Sequence, residues 1–76
     1  MDYGKVFKNL REERGMSRAE LSSLLGVTKS ALWKIENGQS VPKQSTIVAL
    51  SGIALIPVAR IVIEALEPSD YEVKKK

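Results

Sequence analysis

Residues 17–38 read SRAELSSLLGVTKSALWKIENG, and this stretch decides the architecture. Two segments with helical periodicity, 18–25 and 29–36, are joined only by Gly26-Val27-Thr28. Ser17, followed three residues later by Glu20, is a capping box for the first segment. Leu21, Leu24 and Leu25 form its apolar face. Gly26 ends it and supplies the positive φ that a tight turn needs. Thr28 is placed to cap the second segment, whose inward stripe is Ala31, Leu32 and Ile35. Asn37-Gly38 stops that segment. A link this short makes the two helices cross at a large angle, about 90–120°. Val27 sits where it can plug the gap between them.

Working outward, the same periodicity predicts three more short helices. Residues 3–14 carry Tyr3, Val6, Phe7 and Leu10 at helical spacing, with Gly15 in the C-cap place. A fourth helix is expected from about Pro42, a residue suited to a first helical turn, with Ile47, Leu50, Ser51 and Ile53 turned inward. A fifth is expected from about Pro57 to Leu66, closed by Pro68. The run from Val58 to Ile63 is β-branched enough to raise a strand, but the preceding proline and the following Glu64-Ala65-Leu66 favour helix. The sequence therefore predicts an all-α bundle of five short helices spanning 1–68. The tail 69–76 has no periodicity and is expected to be mobile.

Composition limits what such a bundle does. The chain has 76 residues and neither cysteine nor histidine, so disulfides and zinc sites of the usual Cys/His kind are excluded, and no cofactor is expected. A domain this small buries only about 60% of its unfolded surface, so its core is marginal and a second copy would help. Met1-Asp2-Tyr3-Gly4-Lys5 is polar and carries no apolar signal core. The longest apolar stretch, Ile53 to Ala59, is too short to span a bilayer. These features read as a soluble cytoplasmic protein.

Charge is divided along the chain. Residues 1–43 balance to +3, residues 44–73 to −3, and Lys74–Lys76 restore +3. A basic N-terminal half is suited to a polyanion, although an ordinary solvated charge mixture looks the same. Enzyme chemistry fails on inventory. There is no histidine or cysteine to act as base or nucleophile, adjacent Glu12 and Glu13 diverge on a helix, and no glycine-rich phosphate loop is present.

Several pieces then line up in order: Leu10-Arg11, Arg14-Gly15-Met16-Ser17, Glu20-Leu21, Leu24-Leu25-Gly26-Val27-Thr28, Ser30-Ala31-Leu32, Lys34-Ile35-Glu36-Asn37-Gly38 and Pro42. With this set the chain resembles the lambda-repressor-like (Xre/Cro) helix-turn-helix family over about residues 3–58. Ser22 stands where the family usually has alanine, and Arg18 where many relatives have glutamine. Serine is small enough for the helix contact, and its hydroxyl can bond back to the preceding turn.

The resemblance implies a transcriptional regulator that binds double-stranded DNA, with the third helix in the major groove. Lys29, Ser30, Trp33 and Lys34 would contact bases. Lysine can donate to guanine O6 and N7, and serine to several base edges. In an arbitrary helix these lysines would be ordinary solvated charges, and the competing reading of Trp33 is that it folds back over a neighbouring helix as partial core. Ser17, Arg18, Thr28, Asn37 and Lys43 match phosphate positions, with Lys5 and Lys8 weaker candidates. Asn37 also has a purely conformational reading as a helix stop. Arg11 and Glu36 match a structural salt bridge between the first and third helices.

On the fifth helix Val58, Ile61, Val62, Ala65 and Leu66 form an apolar stripe, with Ile63 off it and Ile56 before it. The stripe either completes the monomer core or, as in many family members, forms a dimer. A two-fold dimer would set two recognition helices about 34 Å apart on a palindromic operator. Repression by blocking RNA polymerase is the expected output. The alternative is an antitoxin-like interaction module that also binds a toxin, through the acidic stretch 64–72 or the fifth helix.

Overall fold

The computed structural model describes residues 1–67, which form α1 (Tyr3–Glu13), α2 (Arg18–Leu25), α3 (Lys29–Glu36), α4 (Gln44–Ala54) and α5 (Val58–Ala65), with no strand among them. The all-α expectation therefore holds, and the β-branched run 58–63 is helical. The expectations for Pro68, for the tail 69–76 and for the acidic residues beyond Glu67 lie outside the described residues.

Local chemistry sets most helix ends. Asp2 accepts from the Lys5 N–H at 3.1 Å and starts α1. Ser17 and Glu20 make both halves of the capping box, at 3.1 and 2.9 Å. Thr28 Oγ1 accepts from the Ala31 N–H at 3.0 Å. Gly15, Gly26 and Gly38 all have positive φ, and Gly26, in the left-handed region, closes α2. Both prolines lie ahead of the first helical turn rather than in it. Pro42 is buried ahead of α4, whose N-cap is Lys43, and Pro57 is the N-cap of α5 rather than its first helical residue. The chain turns 109° between α4 and α5. Leu55 makes that turn at φ 59°, ψ 38°, a left-handed conformation costing a leucine about 1 kcal/mol. Ser51 steadies it, donating to the Ile56 carbonyl at 2.5 Å while its own carbonyl accepts from the Ile56 N–H.

The core is one cluster drawn from all five helices. Val6, Phe7, Leu21, Leu32, Leu50 and Ile61 are its fully enclosed members. α1 packs on α3 and α5, α2 on α3 and α4, and α4 on α5. Thr46 and Ala54 are buried beside the expected Ile47 and Leu50, whereas Ser51 and Ile53 are only half-buried.

Leu24 departs from the expectation that it shares the inward face of α2: it is 59% exposed. The buried residues of α2 are Leu21, Ser22 and Leu25. At about 100° per residue, Leu24 lies about 110° from the centre of that set. The small Ser22 lets α2 roll its Ser22 edge into the core, which turns Leu24 out. Its Oγ donates to the Ala19 carbonyl at 3.0 Å, so no buried hydroxyl is left unsatisfied. Val27 packs partly buried against the core at the turn, as its position predicts.

Three further contacts tie the bundle together over long chain separations. Arg14 donates to the Ala54 carbonyl at 2.8 Å and satisfies the C-terminal end of α4. The Asp2 N–H donates to the Ala65 carbonyl at 2.6 Å, and the α-amino group of Met1 lies 3.4 Å from the Glu67 carboxylate. Among the described residues no single helix is long and apolar enough to cross a membrane. Only the bent pair α4 and α5 together meets that length and composition.

Candidate nucleic-acid interface

α3 has one face fixed in the core and one face open. Leu32 and Ile35 are buried and Ala31 is half-buried, which locks the helix rotation. The opposite face carries Lys29, Ser30, Trp33 and Lys34, all exposed. The spacing makes this so: 29 and 33, and 30 and 34, are neighbours one turn apart. Trp33 is 43% exposed, a large apolar side chain left open on this face.

A groove of roughly 700 Å³ runs from this face to the N-terminus of α2, lined by Arg11, Ser17, Arg18, Ala19, Lys29, Ser30 and Trp33. Three cations and an indole thus meet in one open depression. Ser17 and Thr28 use their oxygens as helix caps, and the Thr28 hydroxyl keeps its proton for an outside acceptor. Lys43 is exposed, and its side chain makes no cap hydrogen bond. Asn37 donates its side-chain amide to the Trp33 carbonyl at 2.9 Å, so it does act as a helix stop while remaining exposed. Lys5 and Lys8 lie exposed on α1.

Behind the open face is an ionic hub. The Glu36 carboxylate, only 1% exposed, accepts from Arg11 Nε at 2.8 Å and Arg11 Nη2 at 3.1 Å. Arg11 Nη1 donates to the Met16 carbonyl at 2.9 Å, so the α1–α2 link is held as well. The hydrogen bond to Glu36 holds the Arg11 guanidinium above the usual arginine range, against the desolvation that opposes it. Arg11 is therefore a permanent cation. The Arg11–Glu36 pair was legible in the sequence, but a third member was not. Arg18 Nε also donates to Glu36, at 2.9 Å. Two guanidinium groups share one carboxylate, and the cluster keeps a net positive charge next to the groove.

At the N-terminus of α2, the Ser17 backbone N–H and hydroxyl hold the Glu20 carboxyl below the usual carboxylate range. Among the described residues no group of three or more acidic, histidine or cysteine side chains gathers as a metal ion would require.

The α5 stripe divides. Ile61 and Ala65 are wholly enclosed in the chain's own core, while Val58, Val62 and Leu66 are partly buried. The apolar residue that α5 exposes most is Ile63, at 66%, with Val48 of α4 and Leu55 in the α4–α5 turn also exposed.

The fold and this face define a class. The chain belongs to the helix-turn-helix domain family, whose model matches residues 2–52. It is similar to the cryptic phage CTXphi transcriptional repressor RstR of Vibrio cholerae, at 27% identity over 97% of this chain and 67% of that protein. It is also similar to the HTH-type transcriptional repressor RghR of Bacillus subtilis, at 34% identity over 83% of this chain and 47% of that one. Among solved structures it is similar to the master regulator for biofilm formation SinR in complex with DNA, with a TM-score of 0.69 and 33% identity, over 79% of this chain and 97% of that one. The chain spans between 12% and 67% of the length of the curated relatives it matches.

Proposed function

We propose that this chain is a sequence-specific regulator of transcription, a repressor that binds double-stranded DNA through α3. One observation carries the reading: Lys29, Ser30, Trp33 and Lys34 form an exposed face on a helix whose other side is locked by Leu32, Ile35 and the buried Glu36. A rigid helix with donors on its open side is what base readout in a major groove about 12 Å wide demands. Ser17, Arg18, Thr28, Asn37 and Lys43 ring that helix and fit phosphate contacts, which fix register rather than sequence. The likeness to two repressors and to a DNA-bound regulator supports the same reading.

The working form is a homodimer on a palindromic operator, with residues 1–68 as the binding unit. Support comes from α5, where Val58, Val62 and Leu66 are incompletely covered and Ile63 is open, over a floor of Ile61 and Ala65. Repression follows from occupying DNA that polymerase needs, at the nucleoid in the cytoplasm. In vitro selection from random duplexes tests this. Enrichment of an inverted repeat with half-sites about 10 base pairs apart, one helical turn, is expected. Failure to enrich any sequence would overturn the reading.

A further inference from the structure

The geometry points to Glu36 as the residue that positions Arg18 for a phosphate, a role beyond holding α1 to α3. The inference rests on the DNA-binding reading above.

Arg18 and Arg11 meet the same carboxylate in different ways. Arg11 spends all three of its nitrogens, two on Glu36 and one on the Met16 carbonyl. It has little left to offer an outside ligand and is 11% exposed. Arg18 spends Nε alone. Its two terminal amino groups carry no hydrogen bond within the described residues, and its side chain is 38% exposed where it lines the groove with Ser17, Lys29, Ser30 and Trp33. A guanidinium held by Nε keeps its outer pair of N–H groups as a planar fork, the shape that matches two phosphate oxygens.

Glu36 is the right anchor for this. Its carboxylate is buried and fixed from the other side by the bidentate Arg11, so it cannot follow Arg18 into solvent. The carboxylate is also shared between two cations, so it does not neutralise Arg18. Holding a long side chain in one rotamer before binding removes an ordering cost that a free arginine would meet on association. Glu36 is thus a positioning residue, and Arg18 is the residue that touches the ligand.

Arg18→Lys separates orientation from charge, because lysine keeps the charge but has no Nε to spend on Glu36 while a fork faces outward. The test is equilibrium binding to a selected duplex across a salt series. It uses the native chain, Arg18→Lys, Arg18→Gln, Glu36→Gln and the double variant, each checked for helicity and melting. The expected result is that Arg18→Lys loses about as much affinity as Arg18→Gln, about tenfold to a hundredfold. Each should lower the salt slope by about one phosphate contact, near 0.9. Where Glu36→Gln folds, it should lower affinity and slope in the native background and lower neither further in the Arg18→Gln background. Native affinity and slope in Arg18→Lys would overturn the positioning role. So would equal losses from Glu36→Gln in both backgrounds, the mark of a purely structural effect. Because Arg18→Lys leaves the buried Arg11–Glu36 pair intact, the question stands even if Glu36→Gln does not fold. Salt-insensitive, weak binding by the native chain would instead overturn the DNA reading itself.

Discussion

A Cβ atom added to Gly4 would lie 2.6 Å from the carbonyl oxygen of Ile35, closer than real side chains come to backbone. The first turn of α1 rests directly on the last turn of α3, and the absent side chain sets the distance between them. The depth of the recognition face thus depends on a residue far from it in sequence.

Gly4→Ala sets two effects against each other. Alanine gains about 1 kcal/mol of helix propensity over glycine, but the clash falls on the backbone of Ile35 and Glu36 and overpacking costs about 1–3 kcal/mol. The clash should win, and Gly4→Ala should melt lower than the native chain. Gly52→Ala is the control: it lies within α4 with nothing within 4 Å of an added Cβ, and should raise stability by about 0.5–1 kcal/mol. Thermal melts of both variants check the pair. A stabilised Gly4→Ala would mean that α1 and α3 are not held at this distance.

Glu36→Ala should be the most damaging removal of a charged side chain. It leaves the Arg11 guanidinium, 11% exposed, without its carboxylate. Breaking a buried pair from one side costs about 3–5 kcal/mol. A domain of this size has only about 3–10 kcal/mol in total. Urea unfolding should show most of the stability gone. Arg18→Ala, removing a partner that is 38% exposed, should cost under about 1 kcal/mol.

Much of this was readable before the structure. The capping box at Ser17 and Glu20, the Thr28 cap, the limits of α2 and α3, and the Arg11–Glu36 pair all rest on short spacings or on the family resemblance. What escaped is long-range or has no local signal. Leu55 adopts a left-handed turn that glycine would have announced. Gly4 looks like a weak point of α1 until α3 is seen against it. Leu24 has the spacing of a core residue, and only the roll of α2 toward Ser22 exposes it. The Arg18 bond to Glu36 joins residues 18 apart in sequence, and a phosphate-binding role for Arg18 gives no hint of it. The five residues of the α5 stripe look equivalent by periodicity, yet Ile61 and Ala65 are used up inside the monomer.

That division gives a test of the dimer. Ile61→Asp buries a carboxylate at a position with 0% exposure and should unfold the chain, which says nothing about assembly. Ile63→Asp, at a position 66% exposed, should leave the helical spectrum and melting nearly native. In sedimentation the native chain should run as a dimer and Ile63→Asp as a monomer. A native-like dimer from Ile63→Asp would move the interface away from the open edge of α5.

The acid limb of stability should owe something to Glu20. Its folded pKa is depressed by the Ser17 N–H and hydroxyl. Such a group contributes stability that is fully present above its unfolded pKa and is lost as pH falls through the folded value. Glu20→Gln should therefore lower stability at neutral pH and flatten its fall toward acid. An unchanged pH profile in this variant would show that the capping carboxylate carries no linkage.

Base readout by the open face of α3 underlies the proposed function. The most direct measurement is the affinity of the purified native chain and of Lys34→Ala for DNA from upstream of its own gene and for random duplex, over a range of salt. The native chain should prefer the specific duplex by about 10³ or more. Lys34→Ala should lose about 1–3 kcal/mol on specific DNA while binding random DNA nearly as before. Weak, steeply salt-dependent binding that treats both duplexes alike would show the basic face to be a phosphate grip without sequence readout.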